Sequence, residues 1–180
     1  MPNDHPTAVP LSGFFRDTLL DQCGATLLET SWQKNVIVDD CRRLLASFMH
    51  DTPATVGIKG LQVGAGLDAW DVTPPAAPVP GTAALTDPHP YLVPPGSLAI
   101  DFLDATSTPT ATPTNRIQIV ATLAPGVPSW PDGTHATSTL REFGLVASLG
   151  GTDVLVNYRI HTAIAKDPTS TLVRTIWLTF

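Results

Sequence analysis

The chain is poor in charged residues, which make up 14% of its 180 positions against roughly 25% in typical soluble domains. A hydrophobic content of 43% still supplies one core, so the composition is not that of a disordered segment. Ten lysine and arginine residues against sixteen acidic ones give a formal net charge of −6. This balance excludes the basic surface that non-specific nucleic-acid binding needs, and we expect no nucleic-acid partner.

Cysteine is scarce as well. Cys23 and Cys41 are too few for a disulfide framework, and neither has a second cysteine or a histidine at metal-site spacing. We interpret both as reduced, buried apolar residues. The five histidines are scattered, with no pair separated by two or four residues. The sequence therefore predicts neither a metal site nor a cofactor.

Long apolar runs are missing too. No stretch approaches the roughly 18 consecutive apolar residues that span a bilayer. The first residues, Met1 to Pro6, lack a basic region followed by an apolar one. We therefore expect synthesis in the cytoplasm and no membrane insertion, with any export occurring only as part of a larger assembly.

The common catalytic signatures are also absent: there is no GxSxG, GxxxxGK[ST] or HExxH motif. Two pairs of aspartates could in principle bind calcium or hydrolyse a glycoside, but aspartate near strand ends and turns more often caps the backbone. These pairs are Asp68 with Asp71, and Asp101 with Asp104. The neighbours Arg141 and Glu142 are interpreted as a structural bridge that reaches a nearby loop, and not as an acid–base pair.

Proline, by contrast, is abundant, and eight of the 18 prolines lie between Pro74 and Pro95. Because proline lacks a backbone donor, this stretch cannot form a central strand or a helix. We predict an extended, polyproline-like arm over residues 71–95. Its candidate anchors are Trp70, Leu85, Tyr91 and Leu92. Two interpretations remain open: the arm packs on its own domain, or it docks on a neighbouring subunit.

Two helices are predicted near the N-terminus. Apolar residues recur at helical spacing from Leu11 to Cys23, before Gly24. A clearer amphipathic pattern begins at Asp39 and ends at Asp51-Thr52-Pro53. On this basis, we expect residues 1–56 to form an N-terminal helical segment and residues 57–180 to form a β-sandwich domain, the two being parts of one compact domain overall.

The rest of the chain is typical of β-strands, which alternate or are short and apolar. The predicted strands are Ile58–Val63, Leu98–Leu103, Arg116–Leu123, Ser138–Val146, Asp153–Ile164 and Leu172–Phe180. We therefore expect a mainly β fold, a small antiparallel β-sandwich or half-barrel with one or two N-terminal helices and a proline-rich extended arm.

The order of these segments resembles a family of phage tail and contractile-injection-system structural proteins, small subunits associated with tail fibres, collars or baseplates. The matching segments span residues 32–180 and are Trp32–Asp39, Leu61–Gly66, Trp70-Asp71 with the proline-rich stretch to Leu85, Leu140–Leu145, a Gly-Gly turn, the alternating strand, Ile164–Asp167 and Leu172–Phe180. The resemblance implies a non-enzymatic assembly subunit. Tail-fibre members of this family commonly continue into a long shaft or a receptor-binding tip, whereas this sequence ends at Phe180. We therefore expect an adaptor, collar or baseplate-attachment role.

The expected partners are copies of the chain, arranged as a ring or symmetric cluster, and other tail, collar or baseplate proteins of a virion or phage-tail-like particle. The candidate assembly contacts are Trp70, Pro74, Pro75, Tyr91, Trp130, and the row Asn157, Arg159 and His161 on the long strand. The alternative function is a carbohydrate- or receptor-binding β-sandwich at a fibre tip, which binds its ligand through Trp70, Trp130 and the nearby aspartates.

Overall fold

A computed structural model describes residues 11–180. Within that range the chain forms twelve β-strands, one α-helix and two short 3-10 helices. The helix α1 spans Asp39–Met49, and the 3-10 helices span Asp68–Asp71 and Pro95–Ser97. The strands are β1 Ser12–Leu20, β2 Thr26–Glu29, β3 Gln33–Ile37, β4 Val56–Gly64, β5 Tyr91–Val93, β6 Leu98–Leu103, β7 Pro109–Thr110, β8 Arg116–Leu123, β9 Thr139–Leu149, β10 Thr152–Leu155, β11 Asn157–Ala165 and β12 Thr171–Thr179.

All strands pair antiparallel in one curled sheet, in the order β5-β4-β9-β11-β3-β1-β12-β8-β6-β7, with β2 paired to β1 and β10 to β9. The sheet curls into a half-barrel, and its concave face and α1 enclose the core. Strands from β5 to β8 in the sheet order supply that core, in which Phe143 of β9 packs edge-on against Phe15 of β1 at 5.0 Å between ring centroids. The predicted mainly β half-barrel is confirmed.

The predicted helix from Leu11 to Cys23 is wrong, because β1 occupies most of this segment. Phe15 and Leu19 are four residues apart, a spacing that fits one face of a helix and also one face of a strand. Alternate residues of β1 are buried, including Asp17 between these two. A buried aspartate hides the period-2 pattern from hydrophobicity alone.

The interpretation of residues 1–56 as a helical segment is therefore wrong outside α1. Strands β1, β2 and β3 precede α1 and pair within the common sheet, while residues 1–10 lie outside the described part of the chain. The second predicted helix is confirmed as α1, which buries Cys41 and Leu44. The prediction that Cys23 is buried is wrong, because Cys23 is exposed.

The predicted long strand Asp153–Ile164 is interrupted. It forms β10 and β11, and four consecutive residues from Leu155 to Tyr158 are buried where strict alternation would bury every second one. At the break, the backbone of Val156 donates a hydrogen bond to the carbonyl of Leu145 at 2.8 Å. This interruption changes which side chains of β11 face outward.

Candidate functional site

A proline-rich segment, residues 72–90, crosses the face of the molecule between the first 3-10 helix and β5; we call it the strap. Val72 and Val79 are 87% and 60% exposed, whereas Leu85 and Asp87 are buried. The C-terminal end of the strap therefore packs on its own domain, as the first interpretation of the arm predicts, and residues 72–79 are mostly exposed. Docking of the arm on a neighbouring subunit stays a prediction.

The start of the strap is held by Arg141 of β9. Its guanidinium donates to both carboxylate oxygens of Asp71, at 2.9 and 2.7 Å, and to the carbonyl of Ala65 at 3.0 Å. Asp68 adds a second ion pair at 3.0 Å. The Arg141 hydrogen bond lowers the pKa of Asp71 below its usual range. Asp68 and Asp71 thus hold an arginine, a role that competes with calcium binding.

The end of the strap is held by Glu142, the next residue of β9, whose side chain is fully buried. Its carboxylate accepts hydrogen bonds from the backbone amides of Thr86 and Asp87, at 3.0 and 2.6 Å, and from the hydroxyl of Tyr158. Burial and the Glu142 carboxylate raise the pKa of Tyr158. Arg141 and Glu142 therefore do not bridge each other; they reach opposite ends of the same loop.

A further network extends from Asp87. Its carboxylate accepts from the amide of Ala65 at 2.7 Å and lies 3.1 Å from Nε2 of His135, while Nδ1 of His135 lies 3.1 Å from Asp132. Both ring nitrogens are thus occupied by carboxylates of the fold. His135 also stacks on Trp130, with ring centroids 3.8 Å apart. This histidine is arranged as a structural link and not as a general base.

Beneath the exposed part of the strap lies a groove of about 560 Å³, which we call the strap groove. One wall is the strap from Pro74 to Pro78 with Trp70, and the opposite side is β11 from Arg159 to Ala163. Trp70 is held against Gly66, whose φ of +59° a glycine adopts readily. A Cβ on that glycine would lie 2.3 Å from the indole ring.

Five of the eight candidate contacts line the strap groove: Trp70, Pro74, Pro75, Arg159 and His161. Tyr91 is partly buried in β5, where it pairs with Val63. Trp130 is only 6% exposed, so its selection as a surface contact is wrong. Asn157 is also wrong as an exposed contact, because it is fully buried and accepts a hydrogen bond from the amide of Leu145 at 2.7 Å.

The floor near His161 contains a buried ion pair that the sequence did not indicate. Arg174 of β12 is fully buried and donates to both carboxylate oxygens of Asp17, at 2.6 and 2.8 Å. Its guanidinium also lies over the Phe143 ring, at 4.0 Å from the centroid. The only sequence signal is an arginine at an inward position of an apolar strand.

His161 lies beside this pair, with Nε2 3.0 Å from Nη2 of Arg174. A neutral imidazole accepts this hydrogen bond. Burial lowers the pKa of His161 to about 3, and the positive charge of Arg174 adds to the shift. His161 is therefore uncharged at neutral pH.

Several ionic side chains of the site link separate segments of the fold. No three of the histidine, cysteine, aspartate and glutamate side chains described here lie close enough together to hold a metal ion. Asp104 caps a turn by accepting hydrogen bonds from the amides of Thr106 and Thr108, at 2.8 and 2.9 Å.

Within residues 11–180, no helix has the length and apolar character needed to cross a membrane.

Comparisons of the chain with models of protein families, with curated proteins and with solved structures found no significant match. The proposals below therefore depend on the residues and their geometry.

We expect the stability of the protein to fall on mild acidification because of His161. The unfolded chain binds a proton near pH 6.5, whereas the folded chain binds it only near pH 3, so stability is lost as the pH falls between these values. From pH 7 to pH 5 the contribution is about 2 kcal/mol. Urea unfolding at both pH values should show this loss in the wild type and a smaller one in His161→Gln. An equal loss in both proteins would contradict the assignment.

We expect Glu142→Gln to loosen the end of the strap. The amide group presents a donor where the carboxylate accepted hydrogen bonds, which leaves a buried donor unpaired at a cost of about 1–3 kcal/mol. Hydrogen exchange at the amides of Thr86 and Asp87 should accelerate. The matched control is Glu29→Gln, whose side chain is 58% exposed, and it should change stability by less than about 0.5 kcal/mol. Unchanged exchange at both amides would show that Glu142 does not hold the strap.

Proposed function

We propose that the chain is a non-enzymatic structural subunit of a phage particle or a phage-tail-like contractile machine. In this role it is made in the cytoplasm and incorporated into the particle as an adaptor, collar or baseplate- or fibre-attachment protein. It assembles with copies of itself, as a ring or symmetric cluster, and with neighbouring tail, collar or baseplate proteins. The order of sequence motifs across residues 32–180 supports this proposal.

The observation that carries the proposal is the exposed first half of the strap. Arg141 and Glu142 fix the two ends of the whole strap. Its middle is fixed by a hydrogen bond from the amide of Asp39 to the carbonyl of Pro80 at 2.8 Å. Proline restricts the backbone between these points. A segment that is already ordered loses little conformational entropy on binding, which favours its use as a docking element.

Burial of the carboxylates supports a binding role over a catalytic one. Asp17, Asp87 and Glu142 are each at most 5% exposed, and each accepts hydrogen bonds from within the fold. A substrate in the strap groove would meet apolar side chains, among them prolines, alanines and an indole ring, and the polar side chains of Gln33, Asp71, Arg159, His161 and Thr162. Asp71 is already paired with Arg141. These groups suit the recognition of a partner surface.

The alternative, a carbohydrate- or receptor-binding module, has less support. It depends on Trp70 and Trp130 presenting their faces to a sugar. Trp130 is buried and its face is covered by His135. Trp70 is partly exposed in the strap groove, but a single aromatic ring does not form the predicted surface.

We expect the purified chain to form multimers, or to join a larger particle with its natural partners, through the strap. Val79→Asp places a charge on this surface and should shift sedimentation from multimer to monomer. Because Val79 is 60% exposed, stability should change by less than about 0.5 kcal/mol. Met49→Asp, at a 91% exposed position on α1, is the matched control and should leave assembly intact. A wild-type chain that stays monomeric at high concentration and joins no particle protein would contradict the proposal.

A further inference from the structure

Strand β11 has a free edge beside the strap groove. On one side it pairs with β9 at residues 159–160 and 164–165, with an irregularity between them, and on the other it pairs with β3 only through Asn157 and Tyr158. Strand β3 then runs against β1, with Gln33 opposite Phe15. From residue 159 to 165, no strand in the described part of the chain pairs with this edge. An unpaired edge offers backbone donors and acceptors to an incoming strand.

The free edge lines a second opening, which we call the edge cleft, with a volume of about 250 Å³. One side is β11 from His161 to Ile164, and the other includes Leu28 of β2 and Thr30. Leu28 is 38% exposed, so this side presents apolar surface. The edge cleft adjoins the strap groove, because Gln33 and residues 161–163 line both.

The strap groove, next to the edge cleft, contains an unmatched positive charge, that of Arg159. Its guanidinium lies over the Phe15 ring at 5.6 Å and donates one hydrogen bond, to Oε1 of Gln33 at 3.2 Å. Among residues 11–180, no carboxylate lies within ion-pairing distance of it. Burial lowers the pKa of Arg159, since no opposite charge compensates for the lost hydration.

The nearby ionic groups are already paired within the fold. Arg174 is matched by Asp17, and Asp71 by Arg141, while His161 is neutral at physiological pH. A carboxylate from outside the described residues is therefore the group that complements Arg159, and an arginine forms a strong, directional hydrogen-bonded pair with it.

We propose that the edge cleft and strap groove together bind an extended segment of a neighbouring protein subunit, which pairs with β11 at residues 159–165 and places a carboxylate on Arg159. The inference rests on the proposed function and names the chemistry of its partner. Five consecutive residues of β11 line the strap groove, a number comparable to that of a short strand.

The experiment uses the full chain and a fluorescent ten-residue peptide of alternating valine and threonine with one central glutamate. The control peptide carries glutamine in place of the glutamate. By fluorescence anisotropy, the glutamate peptide should bind the wild type at least tenfold more tightly. Arg159→Gln should remove this preference, whereas Arg43→Gln, an exposed position on α1, should retain it.

Hydrogen exchange on the wild type locates the peptide without any variant. The amides of residues 161–163 should gain protection when the glutamate peptide is bound. Equal binding of the two peptides, no binding at millimolar concentration, or protection confined to other strands would each overturn the inference. Protection of these amides by an acidic oligosaccharide but not by the peptide would overturn it too. A chain that assembles but fails these tests leaves the proposed function standing and removes only this inference.

Discussion

Two consecutive residues of β9 fix the part of the molecule on which its proposed function depends. Arg141 holds Asp71 at the start of the strap, and Glu142 holds the amides of Thr86 and Asp87 near its end. Both side chains belong to β9, a buried strand, so their hydrogen bonds hold the two ends of the strap in a fixed position on the sheet. A proline-rich segment that would otherwise sample many positions becomes a fixed wall of a groove.

Neighbouring strands explain why the opposite side of that groove is open. Asp17 and Arg174 are partners across β1 and β12, and their bidentate pair is covered by the Phe143 ring. Beside them, β3 leaves β11 after two paired residues, so the sheet separates where Arg159 and His161 lie. The result is an opening, bounded by the β11 edge and by the strap, that contains the unpaired charge of Arg159 and suits an extended segment with a carboxylate.

Much of the fold could be predicted from the sequence because most strands have clear boundaries. Arg116–Leu123 matches β8 residue for residue, and the amphipathic pattern after Asp39 correctly predicts α1. The failures occur where polar residues are buried. Asp17 and Arg174 are paired across more than 150 positions of sequence, a contact that no local pattern indicates, and Asp17 makes β1 resemble a helix.

The sequence predicts part of the candidate site correctly and fails where side chains are unexpectedly buried. Exposed prolines and the residues Arg159 and His161 were selected by composition and alternation, and the fold brings them together. Asn157 and Trp130 were wrong because a break in β11 and a stacked histidine bury them. Alternation of apolar and polar residues predicts which side chains face outward only while a strand is regular. For an aromatic residue in a loop, such as Trp130, no sequence pattern indicates whether it is buried.

The most direct test of the account is hydrogen exchange on the chain in its native assembly, compared with the isolated chain. If the molecule works by fitting against other proteins, amides in the strap and along β11 from residue 159 to 165 should gain protection in the assembly. An assembly in which these two segments exchange as they do in the isolated chain, while other surfaces become protected, would contradict it.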